Sequence, residues 1–157
     1  MPNVLITGMS GVGKSTMIDI LAARGHEAVD TDSDEWSHWV THPDGSRDWI
    51  WREDRMLRLL ETPRPGPLFV AGCKSNQGEF YRWFSEVVLL TAPTPLILTR
   101  IATRTNNPYG KSAAEREAIL RDLVAIEPLL RPGATLELVT TIPADEVADR
   151  IEHLGMA

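Results

Sequence analysis

Short apolar runs alternate along the chain with stretches whose apolar residues recur every three or four positions, the pattern of strands exchanging with helices. Asn3-Val4-Leu5-Ile6-Thr7 is the first run, and Met17 to Ala23 has helical spacing. Further strands are predicted over His26–Asp30, Leu68–Ala71, Val87–Thr91 and Thr135–Val139. Helices are predicted from about Asp48 to Glu61, from about Pro95 to Arg104, and from Ser112 to Leu130. The last should carry Glu115, Arg116, Glu117 and Arg121 outside and Ile119, Leu120, Leu123 and Ile126 inside, with Pro128 bending or ending it. Between Trp36 and Pro67 the pattern is less regular, with four tryptophans crowded around a Pro43-Asp44-Gly45 turn. The fold class this predicts is α/β, a five-stranded parallel sheet with helices on both faces.

The turn between the first strand and the first helix is Gly8-Met9-Ser10-Gly11-Val12-Gly13-Lys14-Ser15-Thr16, which fits the phosphate-binding loop pattern. Its glycines allow successive main-chain N–H groups to point inward, and a helix starting at Lys14 adds the positive end of its dipole. This predicts a site for the phosphates of a nucleoside triphosphate, lined by Gly8, Ser10, Gly11, Val12, Gly13, Lys14, Ser15 and Thr16. Lys14 would reach the outer phosphates. The Ser15 hydroxyl would sit on a magnesium ion, a hard cation that prefers oxygen ligands.

The second strand runs into Asp30-Thr31-Asp32-Ser33-Asp34-Glu35. Ligands of open parallel sheets bind outside the carboxyl ends of the strands, so Asp30 and Asp32 should face the phosphate loop. Like charges so close need a cation, which Mg²⁺ bound with ATP would supply. A phosphate loop followed by a strand ending in Asp-x-Asp resembles the small P-loop kinases, in particular shikimate and gluconate kinases, relatives of adenylate kinase. The form Leu-Asp-Thr-Asp of shikimate kinases stands here as Val29-Asp30-Thr31-Asp32. The resemblance implies that Asp30 helps to hold magnesium through its water shell and that Asp32 takes the acceptor hydroxyl. It also implies an acceptor-binding region over about 36–66 and a lid over about 104–116.

Arg52, Arg55 and Arg58 fall three apart on the helix predicted from Asp48, so they share a face. That face is suited to clamping a carboxylate or phosphate of the acceptor, and equally to local ion pairs on a surface helix. The tryptophans are read as packing for a small subdomain, a planar substrate being the other reading. The third strand of the predicted sheet ends in Gly72-Cys73-Lys74-Ser75-Asn76-Gln77-Gly78, where shikimate kinases have a run of glycines. Shikimate as acceptor is therefore in question, although Lys74 is well placed to touch an acceptor. Arg100 and Arg104 stand four apart before the turn at Pro108 and Gly110, similar to the lid arginines of adenylate and shikimate kinases. That similarity assigns Arg100 and Arg104 to ATP, Arg104 also to catalysis, and Lys111 to the lid tip beside the substrate.

At 157 residues the chain suits one domain. A formal charge of −6 argues against a nucleic-acid surface, and the apolar stretch from Val87 to Thr99 is too short and too broken by proline to cross a bilayer. The single Cys73 and the absence of a basic start followed by an apolar stretch and cleavage site point to the cytoplasm. Oligomeric state leaves no trace in the sequence. The predicted activity is Mg²⁺-dependent transfer of the γ-phosphoryl group of ATP to a hydroxyl of a small metabolite, with Lys14, Asp32 and Arg104 as catalytic groups. The alternatives are a nucleoside monophosphate kinase, whose anionic acceptor the three aspartates would repel, and an ATP-dependent switch that phosphorylates no metabolite.

Overall fold

The computed structural model describes residues 2–157. The chain runs through β1 (Asn3–Thr7), α1 (Lys14–Ala23), β2 (Glu27–Asp30), β3 (Ser37–Thr41), β4 (Arg47–Trp51), α2 (Glu53–Glu61), β5 (Leu68–Ala71), a 3-10 segment at Gln77–Trp83, β6 (Glu86–Thr91), α3 (Thr94–Thr103), α4 (Ala113–Ala125), α5 (Glu127–Leu130), β7 (Leu136–Val139) and α6 (Ala144–Met156). Five strands form one parallel sheet in the order β2-β5-β1-β6-β7, with Leu5 of β1 opposite Val70 on one side and Val87 on the other. The predicted fold class is the observed one.

Successive side chains of a strand point to opposite faces, and here both faces are covered. Val4 and Ile6 join Met17 and Leu21 of α1, Ile97 and Ile101 of α3, Ile119 of α4, and Val147 and Ile151 of α6 in one core. Leu5 turns the other way, to Trp51, to Met56, Leu59 and Leu60 of α2, and to Phe80 and Phe84. Full burial of such a side chain contributes about 1.5–3 kcal/mol, so strands that read as unbroken apolar runs are held at the centre of a two-sided sandwich.

Two predicted elements are corrected. The helix expected from Asp48 begins at Glu53, and residues 47–51 instead form β4, paired antiparallel with β3 in a two-stranded hairpin. Trp49-Ile50-Trp51 are aromatic and β-branched residues suited to a pleated surface, and the turn between the strands is made by Gly45 at φ 86°, with Gly45 N–H donating to the His42 carbonyl at 2.9 Å. Arg52 is therefore an extended residue preceding α2 rather than part of the same helical face as Arg55 and Arg58. The helix expected from Ser112 to Leu130 ends at Ala125 and is followed by the short α5, because Pro128 has no N–H to donate back to the preceding turn. Leu120 and Ile126 lie exposed rather than inside, and the core receives Ile119 and Leu130. Among the described residues no helix is long and apolar enough to cross a membrane.

Candidate active site

The carboxyl ends of β1, β2, β5 and β7 supply the site. Gly8, at φ 147°, follows β1 where an added Cβ would lie 2.5 Å from the Leu90 carbonyl oxygen and 2.9 Å from Val12. Only glycine lets the loop leave the sheet so close to β6. Gly13, in the left-handed region at φ 109°, turns the chain into α1, whose first residue is Lys14. The Lys14 ammonium lies back across the loop, donating to the carbonyls of Gly8 at 2.6 Å and Met9 at 2.9 Å. Burial pulls its pKa below the ordinary lysine value, while Cys73, Asp30 and Asp32 act in the opposite direction. Ser10, Gly11, Val12 and Thr16 complete the loop and the first turn of α1.

The Asp-Thr-Asp stretch splits by direction. Thr31 is buried, donates to the Ala71 carbonyl at 2.7 Å and accepts the Trp51 indole N–H at 2.8 Å. Gly72 of the neighbouring strand end has no room for a side chain, since a Cβ there would meet Thr31 Oγ1 at 2.4 Å. With Thr31 pinned inward, Asp30 and Asp32 line the crevice on either side of it. Ser15 Oγ donates to Asp30 Oδ2 at 3.0 Å, and Asp30 Oδ1 accepts the Asp32 N–H at 3.1 Å. A hydroxyl and a carboxylate so close form two hard-oxygen donors, the set that suits Mg²⁺ when phosphate oxygens and waters complete its shell. Among the described residues no group of three His, Cys, Asp or Glu side chains gathers to hold a metal by itself. A magnesium site here would thus depend on the nucleotide.

Asp32 is held from one side only. Its Oδ1 accepts both the Lys74 ammonium at 2.8 Å and the Trp49 indole N–H at 3.0 Å, while Oδ2 accepts no hydrogen bond among the described residues. Partial burial raises the carboxyl, but the Lys74 hydrogen bond and charge, the Trp49 hydrogen bond and the charge of Lys14 outweigh it and hold Asp32 below its ordinary value. Lys74 is fixed in turn. Its N–H donates to Gln77 Oε1 at 2.8 Å, and Gln77, itself buried, donates to Thr7 Oγ1 at 3.0 Å and to Tyr81 at 2.9 Å.

Asn106, Asn107 and Pro108 line the open crevice together with Ser15, Asp19, Asp30 and Asp32, around a volume of about 450 Å³. Arg100 fastens this side to the phosphate loop, donating to Thr140 Oγ1 at 2.9 Å, to the Thr140 carbonyl at 2.5 Å and, at longer range, to the carbonyls of Gly11 and Val12. Arg104 holds the turn after α3 through the carbonyls of Asn107 at 3.2 Å and Tyr109 at 2.6 Å. Desolvation lowers the pKa of both arginines.

Three predicted acceptor cations are placed elsewhere. Lys111 donates to the carbonyls of Ile101, Ala102 and Arg104 and so closes the carboxyl end of α3 instead of reaching the crevice. Arg52 donates to the Asp34 carbonyl at 3.0 Å and Arg55 to that of Glu35 at 2.9 Å, fixing the chain after β2. Arg55 also lines a separate cleft with Trp36, Arg58, Leu59 and Thr62. Trp49, Gln77 and Thr140 were not among the expected site residues. The alternation in Asp48-Trp49-Ile50-Trp51 is the one signal that would have brought Trp49 forward.

Residues 4–121 match the family model described as AAA domain. The chain belongs to that family. No curated protein matches it. Among solved structures, this AAA-domain chain is similar to shikimate kinase from Acinetobacter baumannii in complex with shikimate, at 26% identity and TM-score 0.66 over 98% of this chain and 92% of that one. Shikimate kinase from Bacteroides thetaiotaomicron is 18% identical with TM-score 0.65, covering 98% and 97% of the two chains. A gluconokinase from Sinorhizobium meliloti 1021 is 15% identical with TM-score 0.53, covering 97% and 90%. The fold is that of the small P-loop kinases, the group that the phosphate loop and the Asp-Thr-Asp strand end resemble.

Proposed function

We propose that the protein is a phosphotransferase that moves the γ-phosphoryl group of ATP to a hydroxyl of a small metabolite. The observation that carries this reading is Asp32, with Oδ1 held by Lys74 and Trp49 and Oδ2 open, on the same crevice edge as the phosphate loop and the Ser15–Asp30 pair. Phosphoryl transfer needs little covalent help from a protein, and most of the catalysis is positioning and charge stabilisation. The acceptor oxygen attacks the γ-phosphorus, the bond from that phosphorus to the bridging oxygen of ADP breaks, and the hydroxyl proton passes to Asp32 Oδ2. Main-chain amides from Gly8 to Thr16 bind the phosphates, and Lys14 turns from the loop carbonyls to offset charge on the moving group. Magnesium held by Ser15 and, through water, by Asp30 would neutralise phosphate oxygens and align them.

Arg100 and Arg104 order the nucleotide side, with residues 104–116 acting as the lid and the β3–β4 hairpin with α2 bounding the acceptor side. Excluding water matters because water would compete as phosphoryl acceptor. Similarity to shikimate kinase supports a small hydroxylated acceptor, and Lys74 and Trp49 stand beside the Asp32 carboxylate that would meet it. Incubation with γ-labelled ATP, Mg²⁺ and a pooled metabolite extract tests the reading by where the label goes. Label on an alcohol is the expected result; label on a nucleotide points to a nucleoside monophosphate kinase, and label only in free phosphate to a switch.

A further inference from the structure

The hairpin carries tryptophans that packing does not account for. Its register sets Ser37 opposite Trp51, Trp39 opposite Trp49 and Thr41 opposite Arg47, so these six side chains share one face. Along that face the tryptophans pass from core to solvent. Trp51 is fully buried, bonded to Thr31 and edge-on to Phe80 at 5.5 Å between ring centroids. Trp49 is partly buried, with its N–H on Asp32, and Trp39 is 56% exposed. Burial explains the first; a hairpin of five-residue strands gains little from an indole left more than half in water.

Trp39 and Trp49 nevertheless form an ordered pair, with ring centroids 5.2 Å apart and planes inclined by 55°. Cations brace both, Arg47 over Trp39 at 4.8 Å and Lys74 near the Trp49 ring at 5.9 Å. The Trp49 N–H touches the carboxylate that would take the acceptor proton, so the pair starts beside Asp32 and runs outward from it to solvent.

We propose that Trp39 and Trp49 form a stacking platform and that the acceptor presents a flat ring face to it while its hydroxyl meets Asp32. The inference rests on the phosphotransferase reading and deepens it. An indole face receives the flat side of an aromatic ring or the C–H-rich side of a sugar or cyclitol ring, and an acyclic polyol offers neither. Trp49 also acts as a positioning residue, because its N–H fixes the Asp32 oxygen that does not receive the proton.

The full chain is incubated with γ-labelled ATP, Mg²⁺ and a pooled metabolite extract, and the alcohol of the labelled ester is identified by mass spectrometry. A ring alcohol is expected, and its mass and fragmentation separate an aromatic ring from a saturated one. An acyclic alcohol overturns the inference and leaves the phosphotransferase reading intact, whereas the absence of any ester overturns that reading itself. With the identified alcohol, Trp39→Leu is expected to raise the acceptor KM by about tenfold with far less change in the KM for ATP, and Trp39→Tyr to restore most of it. Trp49→Phe keeps a ring and loses the N–H that fixes Asp32, so kcat should fall several-fold while the acceptor KM changes far less. An acceptor KM in Trp39→Leu equal to that of the wild type, measured on protein of native circular dichroism, overturns the platform.

Discussion

Two donors meet on one oxygen of Asp32, and that asymmetry is what the proposed chemistry needs at the scale of the residue. An aspartate with both oxygens engaged is a poor proton acceptor, and a free one rotates. The Lys74 side chain is only 9% exposed, so its charge acts on Asp32 with little screening by water on its own side. Although burial alone would raise the Asp32 carboxyl, Lys74 and Trp49 bring it below the ordinary value, so it stays ionised down to acid pH. Activity that needs the carboxylate is lost only as pH falls through this lowered value. Replacing Lys74 with methionine should move the acid limb of the kcat–pH profile upward, and an unmoved limb would show that Lys74 does not set it. Local sequence made much of this residue set legible, because the phosphate loop is nine consecutive residues and Asp30 and Asp32 sit at a strand end. Trp49 and Gln77 were hidden because their roles come from contacts made across 17 and 70 positions of sequence.

Elements place these residues, and the clearest case is α3. Arg100 reaches from it to Thr140 after β7 and to the carbonyls of Gly11 and Val12, while Thr140 Oγ1 donates to the Val12 carbonyl at 2.8 Å. One guanidinium thus links three elements around the phosphate loop. Without this guanidinium the phosphate loop loses its ties to α3, and α3 its tie to Thr140, and a loop displaced in this way should bind phosphates poorly, so Arg100→Met should raise the KM for ATP on the order of tenfold or more. Kinetics at saturating acceptor would check it, an unchanged KM leaving Arg100 without a part in nucleotide binding. Helical spacing predicted α3 to within a residue, and the same criterion failed for residues 48–52. There, arginines three apart gave a helical period that competed with the alternation of Trp49, Ile50 and Trp51, and pairing with β3 decided in favour of the strand. Lys111 shows a different limit, since closing a helix end depends on backbone carbonyls that no side-chain pattern displays.

At the scale of the whole molecule, the central strands β1, β5 and β6 of the parallel sheet are buried on both faces, and the site lies along one edge where four strands end. Its apolar runs were enough to read that architecture, because a strand covered on both sides has no polar face to disguise it. The close fit between the layers reaches the site through Gly72, where an added Cβ would lie 2.4 Å from Thr31 Oγ1 and 3.1 Å from Trp51. Gly72→Ala should therefore destabilise the fold by about 1–3 kcal/mol, read as a lower urea midpoint. A midpoint equal to that of the wild type would mean that β2 and β5 can part without cost.

The most direct test of the central claim is single-turnover transfer from γ-labelled MgATP to the identified acceptor, followed by rapid quench in the wild type and in Asp32→Asn. With Asp32 as the proton acceptor, the variant should bind ATP about as tightly as the wild type and form the labelled ester roughly two or more orders of magnitude more slowly. Equal rates of ester formation in the two proteins would contradict the assignment of Asp32 and the mechanism built on it.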